Sequence, residues 1–171
     1  MYPPELRPFY EGWARHQGLL IDALRSLNPE QLGLRNAPHQ WAIWQMAGHL
    51  AGTRSYWFHD VLGEGERSTR DLFRVESTTV PGVRLEDAGW EDDERHPRSA
   101  EELVDALTRS WSMVDDCLRR WTPEDLTASI VRPSRTHHRG WVVWHTLEHD
   151  LHHGGEISQI LGSHDLPGLA V

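Results

Sequence analysis

The residues best equipped for chemistry lie in Trp141-Val-Val-Trp-His-Thr-Leu-Glu-His-Asp-Leu-His-His-Gly-Gly-Glu156. Four of the chain's 12 histidines, His145, His149, His152 and His153, fall in this one stretch. His149 and His153 are four residues apart, so on a helix they share a face, with Cβ atoms about 5–6 Å apart. Two imidazoles at that spacing can hold one metal ion. A zinc-type site needs three or four protein ligands, and a catalytic one keeps a position open. The remaining sequence must therefore supply a third ligand.

Four helical segments are expected to position these groups. The first spans about residues 4–27, with Leu6, Phe9, Trp13, Leu20, Ile21 and Leu24 at helical spacing and Asn28-Pro29 as its stop. The second spans about 39–62 and ends at Gly63. The third spans about 99–121, opened by a Ser99/Glu102 capping box and stopped by Thr122-Pro123. The fourth spans about 138–161 and ends at Gly162. Between the second and third lies a connection, Gly63 to Arg98, that holds Pro81, Gly82, Gly89 and Pro97, with a short helix or turn expected near Leu85–Trp90. A connection that long is functional or mobile in most compact domains, and it lets the helices it joins run parallel. A shorter connector, Thr127 to Arg139, contains Pro133 and a briefly extended Ile130-Val131. No strand pattern is strong. The expected fold class is all-α, a four-helix bundle with a long loop between helices 2 and 3, folded as a single domain over 1–171. Sites in such bundles are built from side chains on facing helices.

On a helical wheel at about 100° per residue, Val142, His145, His153, Glu156 and Ile160 fall within about 40° of His149, and His152 within about 60°. A polar centre flanked by Val142 and Ile160 is not a solvent face. Burying it unpaired is costly, and a metal would satisfy it. The second helix offers one matching group. His49 sits mid-way along the Trp-rich apolar run Trp41 to Thr53 and shares a face with Ala42, Met46, Thr53 and Tyr56. Alone it reads as a core histidine; opposite His149 and His153 it completes a facial site of three imidazoles.

These motifs resemble the DinB/YfiT-like superfamily. The resemblance rests on His49 in Trp41-x-x-Trp44-x-x-x-x-His49 and on His149-Asp-Leu-His-His153-Gly-Gly-Glu-Ile. The Asn-Pro-Glu-Gln-Leu turn at 28–32, the helix spacing and the mid-chain loop extend it over nearly the whole chain. It implies a small helical bundle, often dimeric, with a three-histidine metal site at His49, His149 and His153. It further implies thiol-dependent chemistry of the kind known for bacillithiol and mycothiol S-transferases, a mycothiol-dependent maleylpyruvate isomerase and glutathione-dependent homologues. The ion implied is zinc first, with nickel, iron or manganese as alternatives, and the partners are a low-molecular-weight thiol and a small electrophile. The chain departs from the family at Glu156, where many members carry Gln; a carboxylate there could orient a ligand, act as a base or bind the ion. Glu156 and His145 are the expected catalytic groups and Tyr56 the expected cofactor-binding group near the open position.

The same residues admit other readings. His145-Thr-Leu-Glu148-His149 matches the inverted zinc-protease motif with Glu148 as base, yet Glu148 lies about 100° from His149 on the wheel. Cys117 reads as a small buried residue of the third helix, His137-His138 as a loop end, and Glu91-Asp-Asp-Glu94 as solvated loop. His16, His39, His59, His96 and His164 read as exposed or capping. A metal-dependent hydrolase and a non-catalytic stress-response module with a structural metal remain as alternative functions.

The formal charge of −9 excludes a general binder of nucleic acid or anionic membrane. One cysteine excludes an internal disulfide, and with no signal-peptide pattern the chain suits the cytoplasm. No apolar run is long enough to span a membrane. Trp144, Leu147 and Leu151, with Gly154 and Ser158 beside them, make the far side of the fourth helix apolar or small, and a homodimer is expected to cover it.

Overall fold

The computed structural model describes residues 1–76, 84–132 and 136–169; Pro81, Gly82 and Pro133 of the expected loops lie outside them. Six α-helices are found among the described residues: α1 (Arg7–Arg25), α2 (Pro29–Leu32), α3 (Ile43–Ser55), α4 (Arg67–Asp71), α5 (Ala100–Arg120) and α6 (Arg139–Ser163). The four long ones match the expected segments. The capping box at Ser99 is present: its hydroxyl accepts from the Glu102 amide, and the Glu102 carboxylate accepts from the Ser99 amide at 2.8 Å. Asn28 and Gln31 make the same reciprocal pair, so Asn28-Pro29 ends one helix and begins another.

The second expected segment is not one regular helix. It begins at Ile43, capped through the Gln45 side chain, and after Ser55 it widens into a π-helical turn, Tyr56–Val61. Such a turn re-aims side chains and is common at functional sites. All of α3 is buried except His49, so this helix runs through the core and meets the surface at its histidine.

The all-α expectation is corrected by two small hairpins. β1 (Arg74–Glu76) pairs antiparallel with β2 (Arg84–Gly89), and β3 (Ser129–Val131) with β4 (Thr136–His138). The helix or turn expected near Leu85–Trp90 is strand β2, followed by a single 3₁₀ turn, Trp90–Asp92. The reason is where the backbone bonds go: the Trp90 amide donates to the Phe73 carbonyl at 2.8 Å, across the hairpin and not along a helix. Strands of three residues are too short to display an alternating pattern, whereas Ile130-Val131 is extended as expected.

Side-chain pairings set the helix directions. Arg98 lies against Gly48, Arg54 against Leu107 and Met113 against Gly65, so α3 and α5 run parallel, as the long connection allows. Trp13 meets Trp111 and Gln17 bonds the Leu107 carbonyl, so α1 is antiparallel to α5. The apolar core falls into two clusters. One holds Leu20, Leu24, Leu50, Leu107 and Ile157; the other holds Trp13, Phe58, Val114, Leu118 and Val142. Between them, level along every long helix, sit buried polar residues: Gln17 on α1, Arg54 on α3, Ser110 on α5 and Asp150 on α6. Arg54 Nη2 pairs with Asp150 Oδ2 at 2.7 Å, and Trp13 Nε1 donates to the same oxygen at 2.5 Å. His16, expected to be exposed or capping, instead hydrogen-bonds the Asp150 carbonyl at 2.9 Å and packs against Gly154.

Candidate metal centre

His149 and His153 project from α6 toward His49 of α3. The ring centroids lie 5.7 Å apart for His49–His149, 5.1 Å for His49–His153 and 6.0 Å for His149–His153. The structure thus brings together the three residues that the sequence nominated from segments far apart in the chain.

Each ring uses Nδ1 on an oxygen acceptor. His49 Nδ1 donates to the Glu91 carbonyl at 2.5 Å. His149 Nδ1 lies 3.1 Å from both the His145 carbonyl and Glu148 Oε2. His153 Nδ1 donates to Glu156 Oε2 at 2.6 Å. A proton on Nδ1 leaves the lone pair on Nε2, and a carbonyl or carboxylate behind the ring is the usual support of a metal-binding histidine. Two tighter groupings of donor atoms, His145/Glu148/His149 and His152/His153/Glu156, each within 4.8 Å, could also hold an ion. Both lie wholly on α6 and contain these same Nδ1···carboxylate contacts, so they are better understood as rings with their supports than as separate ligand sets. The three-imidazole donor set suits a borderline ion such as zinc.

Burial pushes the His49 pKa down to about 4, with His153 and His149 lowering it further against the Glu91 carbonyl. Burial also lowers His153 and His145. These rings are therefore neutral near pH 7, the state in which imidazole can donate a lone pair.

The support of His49 is itself supported. Gly52, one turn along α3, is approached so closely by the Trp90–Glu91 backbone that a Cβ would collide with it. The Arg70 guanidinium, almost wholly buried, holds the Glu91 carboxylate at 2.6 and 3.1 Å and Asp60 Oδ2 at 2.8 Å. The acidic run 91–94 is thus not simply solvated: Glu91 is engaged by Arg70 and Asp93 by Arg98. Nothing in the local pattern marks Arg70 or Glu91; only the length of the connection hinted at a role.

A cleft of about 420 Å³ opens beside the rings, lined by His49, His149, Thr53, Tyr56, Trp57, Asp60, Arg70, Glu91 and Asp92. Tyr56, the expected cofactor-binding group, lines this cleft, its hydroxyl bonded by Arg132 Nη2 at 2.5 Å. His145 stacks on Trp141 at 4.6 Å and lies 4.3 Å from the His149 ring. Glu156 supports His153 on the far side, where a smaller cavity is lined by His39 and Trp41. Trp41, which the sequence offered only as part of the His49 motif and with no role of its own, has its ring 4.9 Å from His49 and stacked on His153 at 5.7 Å. Cys117 is remote, against Met113 and Arg120, and burial pushes its thiol up to about 12, which leaves it inert as a nucleophile near neutral pH.

Comparison with known proteins bears on the family and the fold. The sequence matches the DinB superfamily over residues 13–157. A DinB-like protein from Bacillus cereus superimposes with a TM-score of 0.67 at 20% identity, covering 97% of both chains. A conserved protein from Enterococcus faecalis superimposes equally well at 13% identity, covering 92% of this chain and 97% of its own. At these identities the likeness shows the fold. No curated protein matches the chain.

Proposed function

The chain belongs to the DinB superfamily, and on that premise we propose that it is a divalent-metal-dependent enzyme of the thiol S-transferase type, acting on a small electrophile. One observation carries the reading. Three imidazoles from two helices converge, each with Nδ1 tied to an oxygen, and two of them, His49 and His149, line an open cleft. His49, His149 and His153 would hold the ion; zinc is the first choice, with nickel, iron and manganese compatible. When bound, the ion supplies Lewis acidity that lowers the pKa of a thiol.

The chain's own residues then have distinct tasks. Glu156 accepts the His153 Nδ1 proton, fixing that ring's tautomer and raising its basicity; it is a positioning residue and not the base. His145, kept neutral by burial and adjacent to His149, takes the thiol proton on a ring nitrogen. The sulfur forms a bond to the electrophilic atom, whose leaving group departs with its electron pair. Tyr56 and Trp57 wall the cleft that holds the electrophile.

The finer architecture is part of the same proposal: α1, α3, α5 and α6 form a four-helix bundle, and two chains pair in the cytoplasm. Gly154 and Ser158 of the far face of α6 are covered from within, by His16 and by the Leu169 amide. Trp144 and Leu151 are left 57% and 51% exposed, a pair of large apolar groups for a second copy to cover.

The test is metal content by mass spectrometry on untagged protein prepared without chelators, followed by assays of loaded protein with thiols and electrophiles. The wild type should carry one equivalent and His149→Ala none, and S-transfer should require both ion and thiol. A full equivalent retained by His149→Ala overturns the ligand assignment. Ester or amide hydrolysis without thiol overturns the reaction class.

A further inference from the structure

We propose that Arg132 forms a carboxylate-binding subsite at the hairpin end of the cleft, so that the ligand held there bears a carboxylate remote from its metal-binding atom. The inference deepens the thiol reading above by naming the class of ligand.

Arg132 directly follows β3, and the hairpin sets its guanidinium against the cleft wall. Its Cζ lies 5.1 Å from the centroid of Trp57 and 5.7 Å from that of Tyr56, two rings that line the cleft. One of its N–H groups donates to the Tyr56 hydroxyl. A guanidinium has five N–H donors in a planar fork matched to a carboxylate. Among the described residues no carboxylate occupies that fork. This is notable in a chain where 26 acidic residues outnumber 17 basic ones. The other cations near the cleft are occupied: Arg70 holds Asp60 and Glu91, and Arg98 holds Asp93. Arg132 is therefore a half-buried cation, set against two aromatic rings and, among the described residues, left without an anion.

The surroundings narrow the anion. A phosphate dianion favours several converging cations or a helix N-terminus. Here a single fork is offered, and Asp60, Glu91 and Asp92 line the same cleft toward His49. A monoanionic carboxylate fits, placed away from those acids. Between the two ends the cleft wall is aromatic: Trp57 meets His145 behind it edge-on at 5.2 Å, and His145 lies 4.3 Å from the His149 ring. The ligand's middle is accordingly a planar or extended apolar segment.

The test uses 4-mercaptobenzoate and its uncharged isostere 4-mercaptobenzamide, titrated calorimetrically into cobalt-loaded protein while the sulfur-to-cobalt charge-transfer band is followed. Wild type should bind the carboxylate about tenfold or more tightly than the amide, the scale of one charge-assisted bidentate contact. Arg132→Gln should erase that preference without changing amide affinity, and Arg132→Lys should restore part of it. No preference in the wild type, a preference that survives in Arg132→Gln, or failure of both ligands to bind at millimolar concentration overturns the subsite. The charge-transfer band separates the two readings. Its absence with an Arg132-dependent preference sinks the thiol role and leaves the subsite standing; its presence with no such preference does the reverse.

Discussion

Two polar clusters, one buried and one half-buried, sit side by side on α3 and α6, and they are built to opposite ends. Arg54 and Asp150 adjoin Thr53 and His149 in sequence but turn inward, into the belt between the two apolar clusters. There the carboxylate receives Arg54 Nε, Arg54 Nη2 and Trp13 Nε1, and Arg54 Nη1 donates to the Leu107 carbonyl. Three other helices converge on one carboxylate and its partner, and the functional groups of both are engaged. The histidine cluster also gathers imidazoles from α3 and α6, but their firm partners are on Nδ1, and the one Nε2 contact, Thr53 Oγ1 to His49, is long at 3.4 Å. The closed cluster fixes how the helices meet. The other retains unspent lone pairs, and that is where chemistry can enter. A polar group in a core is thus structural or functional according to what remains unpaired.

Asp150→Asn should sharpen this contrast most. It leaves the Arg54 charge buried without its counter-charge, and urea unfolding of the metal-free protein should show a loss of about 3–5 kcal/mol. If the variant is as stable as the wild type, the belt is not the structural centre described here.

A smaller effect is expected from pH. The folded His49 has a pKa near 4, below the usual 6.5. Between those values the unfolded chain binds a proton that the folded chain does not, so stability is complete above pH 6.5 and declines as pH falls toward 4. The metal-free wild type should lose up to about 3 kcal/mol relative to His49→Gln across that window. A constant difference between the two proteins would contradict the buried, neutral ring.

The smallest effect tests the support of the open cluster. Arg70→Gln should weaken metal binding by about 10–100-fold in competition with a chromophoric chelator, by freeing the Glu91 segment behind His49. An unchanged affinity would mean that Gly52 packing alone holds the Glu91 carbonyl in place.

The four long helices and the histidine trio were legible because their signals repeat: helical periodicity runs over many turns, and an i,i+4 pair marks a face. The hairpins were not: three of their four strands are only three residues long and have no period to detect, and a strand's partner is chosen by distant backbone. Glu91 was hidden for a related reason. It supports His49 through a main-chain carbonyl, which carries no residue-specific signal, and its side chain sits in an acidic run that resembles ordinary surface. Asp150 lay in full view between His149 and His152, but its partner Arg54 comes from an otherwise apolar helix, and only packing reveals that the two charges meet. Glu156 was expected in any of three roles, and its contact with His153 Nδ1 favours the orienting one.

The separation of the proposed ligands along the chain has a consequence in time. His49 leaves the ribosome far ahead of His149 and His153, and at roughly 5–20 residues per second α6 follows about 5–20 s later. Until then a solitary imidazole cannot retain an ion, and the belt lacks Asp150 to answer Arg54. On the proposed ligand set, metal acquisition would therefore await the same final segment as closure of the core. A nascent chain that stalls before α6 lacks both the partner of its buried Arg54 and two of the three proposed ligands.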